Sequence, residues 1–321
     1  MRIAVTLVNG VFDSGLSAVL DIFATANGLS GTRRFEVVRL GASPEITSGQ
    51  GARHPAKRFR GPHGAFDHVL VTGFGASNAD MVKQRLLDDD LKAAVSWVAT
   101  QHARKTPVHA ACSGTWVMGA GGLLDGREAT TSWWFADAFQ AAFPRVRLDA
   151  RHTVVRSGAL TTAGAAFAHV DLALDVLRRE SPSLAARVAD HLVTESRPSQ
   201  ALYLAEHHAR VDDPLVRAFE REVTASLARP VDLPQIAKRL GTSMRSLQRK
   251  LTAASGKSPL QFVRQLRLRQ ALTLLQKGEL SIEEIATRVG YQSAHTLRQL
   301  ISKELGTGIR ALRGRHQRRG A

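Results

Sequence analysis

Cysteine is nearly absent: Cys112 is the only one in 321 residues, so no disulfide can close within the chain and no cysteine metal cluster is available. Twelve histidines are present, yet none stands at a metal-ligand spacing, and the adjacent His207 and His208 would not share a helix face. No metal and no cofactor is expected. The sequence contains no apolar run of 18 or more residues, which leaves no candidate for a membrane-spanning helix. Its first residues, MRIAVTLVNGVFDSG, lack the basic head and small-residue cleavage pattern of a secretory leader, so the expected location is the cytoplasm. Acid is scarce only at one end. From Pro214 onward 21 Lys and Arg stand against 7 Asp and Glu, a net +14, whereas the preceding 213 residues carry a net +2. A positive field concentrated on a short region suits phosphate neutralisation and implies steep salt dependence. The alternative is a basic surface kept for solubility.

Length suggests two domains, and 44% apolar residues suffice for two cores. In the front part, apolar runs alternate with helical spacings. Arg2 to Val8 reads as a strand, Leu16 to Asn27 as a helix, and Phe35 to Leu40 as a second strand. Residues 41 to 66 lack periodicity and are expected to hold an irregular hairpin. His68 to Thr72 is a buried strand running into Gly73-Phe74-Gly75, whose glycines let backbone approach a ligand. Leu86 to His102 reads as an amphipathic helix, and Pro107 to Ala111 as the next strand. This alternation implies a doubly wound α/β domain with a mostly parallel sheet.

Toward the C-terminus one device appears twice. Leu233, Ile236, Ala237 and Leu240 make a helical stripe, Gly241-Thr242-Ser243 a turn, and Met244 to Ala254 a second helix that hides Leu247 and Leu251. Ile282, Ile285, Ala286 and Val289, then Gly290, then Ser293 to Leu305 repeat the plan about fifty residues later. Pro259 to Gln276 reads as one connecting helix, and Pro214 to Leu227 as a preceding helix that packs on both stripes. This is an all-α domain with two helix-turn-helix motifs. The run from Ile236 to Ala271 followed by SIEEIATRVGYQSAHTLRQLISKELG resembles the DNA-binding domain of AraC-family transcription regulators. The outward residues Arg245, Gln248, Arg249 and Lys250 of the first helix, and His295, Thr296, Arg298 and Gln299 of the second, are the expected DNA contacts. Arg and Gln suit base edges. Lys250, Lys257, Lys303 and the tail from Arg310 to Arg319 are expected to meet phosphate.

The strand ending at Ala111 runs into Cys112-Ser113-Gly114 and then a helix beginning near Trp116. A nucleophile-type residue between strand and helix has the layout of a nucleophile elbow, and a helix N-terminus would lower the thiol pKa. It is equally a crossing point at the carboxyl end of a sheet, where open α/β folds bind ligands. Residues 1 to about 180, with AACSGTWVMGAGGLLDGREATTSWWFADAF, resemble the ThiJ/PfpI domain of the class I glutamine-amidotransferase-like superfamily. Coupled to the C-terminal region, the arrangement is similar to the GlxA-type AraC regulators. The resemblance implies, in active members, a His right after the elbow Cys or one brought in nearby, and a Glu beside the thiol from the first strand-helix loop. Here Ser113 and Gly15 occupy those places, and His109 points to the opposite sheet face, so no base is expected to activate the thiol. The domain is therefore expected to be no enzyme but either a sensor of a small metabolite, with Asp13, Phe74, Gly75, Cys112, Ser113 and Trp134 as pocket residues, or a structural domain that mediates dimerisation. The rival is a Cys112-dependent hydrolase or amidase fused to a DNA-binding domain.

Trp116, Trp133 and Trp134 admit two readings, core aromatics or a cage for a cationic ligand paired by Asp13. From the resemblance, the expected partners are double-stranded DNA, an amine or amino-acid-like effector and a second copy in a homodimer. The expected division is a sensor domain at 1–180, a linker at 181–213 and a DNA-binding domain at 214–321, with Leu184 to Val193 able to form a helix of the first.

Overall fold

The computed structural model describes residues 1–194, 200, 213–255, 257–305 and 309, and the chain divides into two compact units, 1–200 and 201–321. In the first unit β1 (Arg2–Thr6) leads into α1 (Asp13–Ser30) and β2 (Glu36–Gly41). The aperiodic stretch that follows holds the hairpin β3 (Glu45–Thr47) and β4 (Arg53–Pro55), then the short β5 (Lys57–Arg58). After β6 (His68–Val71) come two helices where the sequence suggested one, α2 (Ala79–Arg85) and α3 (Asp89–Ala103). The amide of Met81 bonds to the Asn78 side chain and caps α2, while Leu86 ends it. The apolar stripe of Leu91, Ala94 and Val98 starts only with α3.

Next come β7 (Val108–Ala111), α4 (Gly114–Ala120), β8 (Glu128–Ala129), a single 3₁₀ turn at Trp133–Phe135, α5 (Ala136–Ala142) and β9 (Arg147–Leu148). The hairpin β10 (Val154–Ser157) and β11 (Leu160–Ala163) precedes α6 (Ala168–Glu180) and α7 (Pro182–His191). Helix α7 lies within the expected linker, but Leu184, Ala185 and Val188 are buried in the core shared with α1 and α6, and the first unit extends to Gln200. Residues 195–199 and 201–212 of the expected linker are outside the described residues.

The main sheet has the order β10-β11-β7-β6-β1-β2-β5, parallel except for β10. Alternate residues of β1 serve opposite faces: Ile3 and Val5 join the core under α1, α6 and α7, while Ala4 joins the core under α3, α4 and α5. Both faces are covered, which is why the strands read as continuous apolar runs. The fold is the flavodoxin-like, doubly wound class.

The second unit is helical: α8 (Pro214–Ala225), α9 (Leu233–Arg239), α10 (Met244–Ser255), α11 (Pro259–Lys277), α12 (Ile282–Arg288) and α13 (Ala294–Leu305). Side-chain caps set the starts. Asp213, Asp232, Ser258 and Ser281 each accept a backbone N–H of the first turn, and Ser258 with Gln261 and Ser281 with Glu284 close capping boxes. The unit has two cores rather than one. Phe262, Val263 and Leu266 of α11 enter the core of the first motif, and Leu268, Ala271, Leu272 and Leu275 enter that of the second. One continuous helix is thereby the shared wall of both motifs. Helix α8 was expected to pack on both stripes, but Val216, Phe219 and Val223 are all buried in the first core. Among the described residues, no helix is long and apolar enough to cross a membrane.

Candidate functional site

In the first unit, β1 and β6 are neighbours whose chains depart in opposite directions, β1 toward β2 and β6 toward β7. Such a switch point opens a crevice at the carboxyl ends of the strands. Two loops meet there: Phe12 N–H donates to the Gly73 carbonyl at 2.9 Å and Gly75 N–H to the Gly10 carbonyl at 2.7 Å. Cys112 follows β7 with φ +58°, a left-handed conformation unusual for a side-chain-bearing residue. The elbow geometry predicted from strand, turn and helix is therefore present.

Its chemistry differs from the expectation. Burial pushes the Cys112 thiol up, against the hydrogen bonds from Ser132 and Ser113 that pull it down. The lowered thiol expected from the helix terminus does not occur: α4 has only seven residues, and the sulfur is buried with the Ser132 hydroxyl at 3.3 Å. Ser113 is fully buried. Its hydroxyl donates to the Phe74 carbonyl at 2.6 Å and accepts the Phe74 N–H at 2.7 Å, so it clamps one loop to the other.

His169 escaped the sequence reading. It stands in the first turn of α6, after the strand that pairs with β7, and the fold returns it to the elbow. Its Nε2 accepts the Gly73 N–H at 3.0 Å and its Nδ1 meets the Ala166 carbonyl at 2.5 Å. Nδ1 therefore carries the proton, and the one lone pair is already engaged. Burial lowers its pKa to about 4. A Cβ added to Gly15 would lie 2.7 Å from His169 Nδ1, so the imidazole fills the space that the resemblance reserves for an acidic side chain. A His at the start of the helix after the last parallel strand was the available signal.

Of the other expected pocket residues, Phe74 reaches the elbow through its backbone bonds to Ser113, while Asp13 and Trp134 are engaged elsewhere. Phe74 is buried under the Arg85 guanidinium, 6.0 Å from the ring, and Gly75 is exposed. Asp13 pairs through Oδ1 with His54 Nε2 of β4 at 3.1 Å. Trp134 packs against the core and on Trp133 and Phe135 at 5.1 and 5.5 Å. Trp116 has no exposed surface and is ringed by Phe135, Phe139 and Phe143, which takes it out of any cationic cage. His109 is bonded to His68 at 2.9 Å, not to the thiol. No group of three or more His, Cys, Asp or Glu among the described residues could hold a metal ion.

The second unit presents its candidates outward. Arg245, Gln248 and Arg249 occupy i, i+3 and i+4 of α10, opposite the buried Leu247 and Leu251. His295, Arg298 and Gln299 repeat those offsets on α13, opposite the buried Leu297 and Ile301, and Thr296 stands beside them. All are exposed, as is Lys250. Arg245, Gln248, Arg249, His295 and Gln299 have no hydrogen-bond or ion-pair partner among the described residues. Lys250 reaches Asp213 at 3.4 Å and Arg298 reaches Glu283 at 3.0 Å, both at exposed sites where such pairs are weak and exchangeable. Ser243 and Ser293 accept the N–H groups of Ser246 and Thr296, so both helices begin alike. Lys303 is exposed on α13, and the tail from Arg310 to Arg319 lies outside the described residues.

A flavodoxin-like α/β unit with an elbow cysteine, followed by twin helix-turn-helix motifs on one connecting helix, defines a two-domain class. The DJ-1/PfpI family model matches residues 1–179 and a helix-turn-helix domain model matches residues 236–315. The chain belongs to the DJ-1/PfpI family and ends in an AraC-type helix-turn-helix region. It is 34% identical over 205 residues to the HTH-type transcriptional regulator GlxA of Rhizobium meliloti (strain 1021), a match that covers 61% of this chain and spans 62% of that protein's length. Over 109 residues it is 35% identical to an isonitrile hydratase of Pseudomonas putida, covering 34% of this chain and 42% of that one. The crystal structure of an AraC family transcriptional regulator from Pseudomonas putida shares the fold, with a TM-score of 0.51 at 17% identity over 60% of this chain and 98% of that one.

Proposed function

We propose that the protein is a cytoplasmic, sequence-specific DNA-binding transcription regulator whose first unit senses a small molecule or mediates dimerisation and performs no chemistry. The observation that carries this reading is the repeated face of exposed donors, Arg245, Gln248 and Arg249 on α10 and His295, Arg298 and Gln299 on α13, in a region of net charge +14. Each helix enters a major groove, the two insertions falling about one duplex turn apart, roughly 34 Å. Arg and Gln read base edges by paired hydrogen bonds, and the lysines and the basic tail hold phosphates. The names of the relatives support the same reading. The effector is an amine or amino-acid-like molecule, and a homodimer presents two such clamps.

Selection of genomic fragments by the full-length protein tests this. Enriched fragments carrying two half-sites about 10 base pairs apart are expected; retention no better than random duplex at moderate salt would overturn it.

The hydrolase reading draws on the left-handed Cys112 and on the partial likeness to the hydratase. Against it stand a thiol whose pKa is raised and a His169 whose lone pair is committed to backbone. Neither supplies the activated nucleophile that such chemistry requires.

A further inference from the structure

We infer that a small polar pocket beside the elbow is a binding site for a primary carboxamide, and that its occupant here is the chain's own Gln200. Gln200 is 3% exposed. Its Nε2 donates to Thr130 Oγ1 at 3.1 Å and to the Thr131 carbonyl at 2.8 Å, with the His152 carbonyl at 3.5 Å. The Thr130 hydroxyl itself donates to the His152 carbonyl at 3.0 Å, so its lone pairs are what face the amide. Three acceptors in a dry site suit an NH₂ group and reject a carboxylate. A Cβ on Gly164 would overlap this carboxamide, so the absence of a side chain there makes the room.

Only one end of the amide is held. Among the described residues the buried Gln200 Oε1 has no hydrogen-bond partner, which leaves part of its desolvation uncompensated. Reversing the amide would set oxygen against the carbonyls of Thr131 and His152, so the orientation is fixed. A free amide that keeps its oxygen hydrated satisfies the same acceptors without that loss, and can exchange with Gln200.

The pocket shares walls with the elbow. Thr131 precedes Ser132, whose hydroxyl reaches the Cys112 sulfur, and Thr131 Oγ1 meets Thr115 Oγ1 at 2.7 Å. Gly164 follows Ala163, whose carbonyl accepts the Cys112 N–H at 3.0 Å. Gln200 is also the last residue of the first unit, so the covalent connection to the second leaves from this site. Exchange frees that point of departure. This last consequence rests on the regulator reading; the pocket itself does not.

Propionamide, the side chain of glutamine as a free molecule, is the probe, used on the full-length protein. Gln200→Ala should lower the melting temperature of the first unit, and tens of millimolar propionamide should restore about 2–4 °C. Wild type, in which the tethered Gln200 competes for the same acceptors, should respond less, and Gly164→Ala, whose methyl group blocks the room, should not respond. Equal responses in all three proteins, or none in Gln200→Ala, would overturn the pocket. Hydrogen exchange on Gly164→Ala gives a reading independent of whether Gln200→Ala folds. The Gln200 N–H, bonded to the Arg151 carbonyl at 2.8 Å, should lose protection, and unchanged protection counts against the proposal. DNA affinity separates the two readings: rescue together with an affinity change of about fivefold or more supports coupling. Rescue without any change keeps the pocket and removes the sensor role.

Discussion

The two units treat their polar side chains in opposite ways. At the elbow Cys112, Ser113 and His169 are all buried, at 7%, 0% and 1% exposure, and each is hydrogen-bonded within the fold. On α10 and α13, Arg245, Gln248, Arg249, His295 and Gln299 stand exposed and unengaged among the described residues. Buried polar groups must find partners inside the protein, so they specify architecture. Exposed donors defer desolvation until a partner arrives, so they specify recognition. Histidine thus does structural work in one unit, as His169, and is left available in the other, as His295.

The largest expected effect damages the exposed unit without touching one exposed donor. Gly241 and Gly290 hold the two turns at φ +65° and +81°. A Cβ on Gly241 meets nothing within 4 Å, whereas one on Gly290 would overlap the Leu227 carbonyl oxygen and press on the Arg267 guanidinium. Gly241→Ala should cost only the left-handed penalty, about 1 kcal/mol, and Gly290→Ala roughly 3 kcal/mol or more, since backbone must also move. Thermal unfolding of the second unit compares the pair. Equal losses would mean that the motif turns are interchangeable despite their different surroundings.

Acid should separate the units next. His169 has its pKa lowered to about 4 by burial, and burial also lowers those of His109 and His68. The unfolded chain protonates each near 6.5, so between that value and the folded one it binds more protons than the native state, and stability falls as pH falls. The loss for His169 alone approaches about 3 kcal/mol by pH 4. In the second unit the lowered groups are the carboxyls of Asp213 and Glu284. Their stabilisation is present above the usual carboxylate range and fades only below it. The first unit should therefore melt earlier between pH 6.5 and 4, and His169→Gln should flatten its profile. A first unit as stable at pH 4.5 as at 7 would contradict this.

Much of this contrast was readable in advance, because periodicity reports burial. The continuous apolar run of β1 announced a strand, and the paired stripes of α9 and α12 each announced a helix and its buried face. Twin donor faces followed from a fifty-residue offset. Three things did not follow. His169 lies 57 positions beyond Cys112 and becomes its neighbour only through the pairing of β11 with β7. Gln200 sits in a segment whose composition reads as linker, and only the pocket at Thr130 and Thr131 shows where its side chain goes. The thiol shift depended on how much low-dielectric surrounding outweighs a short helix, a quantity that no spacing encodes.

Base reading should respond less than turn geometry but more selectively. Gln248→Ala removes a donor and acceptor pair from an exposed position on α10 and should weaken operator binding by about 1–3 kcal/mol while leaving random duplex nearly unchanged. Lys250→Ala should weaken both alike by less than that and reduce the salt slope by about one. Titrations of operator and scrambled duplex at two salt concentrations compare them; parallel losses for Gln248→Ala would place that residue on phosphate instead.

The smallest effect is expected at the residue that sequence makes most conspicuous. Cys112→Ser keeps a small side chain able to bond Ser132 and leaves the left-handed backbone to be held, as now, by the Cys112 N–H on the Ala163 carbonyl. If the thiol is lining rather than nucleophile, operator affinity should stay within about twofold and stability within about 1 kcal/mol. The hydrolase reading requires the reverse. It needs a thiolate, yet burial raises this thiol, and the nearby imidazole cannot take the proton without releasing Gly73. Loss of turnover on any hydrolysable or hydratable substrate in Cys112→Ser would therefore show that the closed elbow opens, and that the first unit shares with the second the habit of keeping its chemistry within reach of solvent.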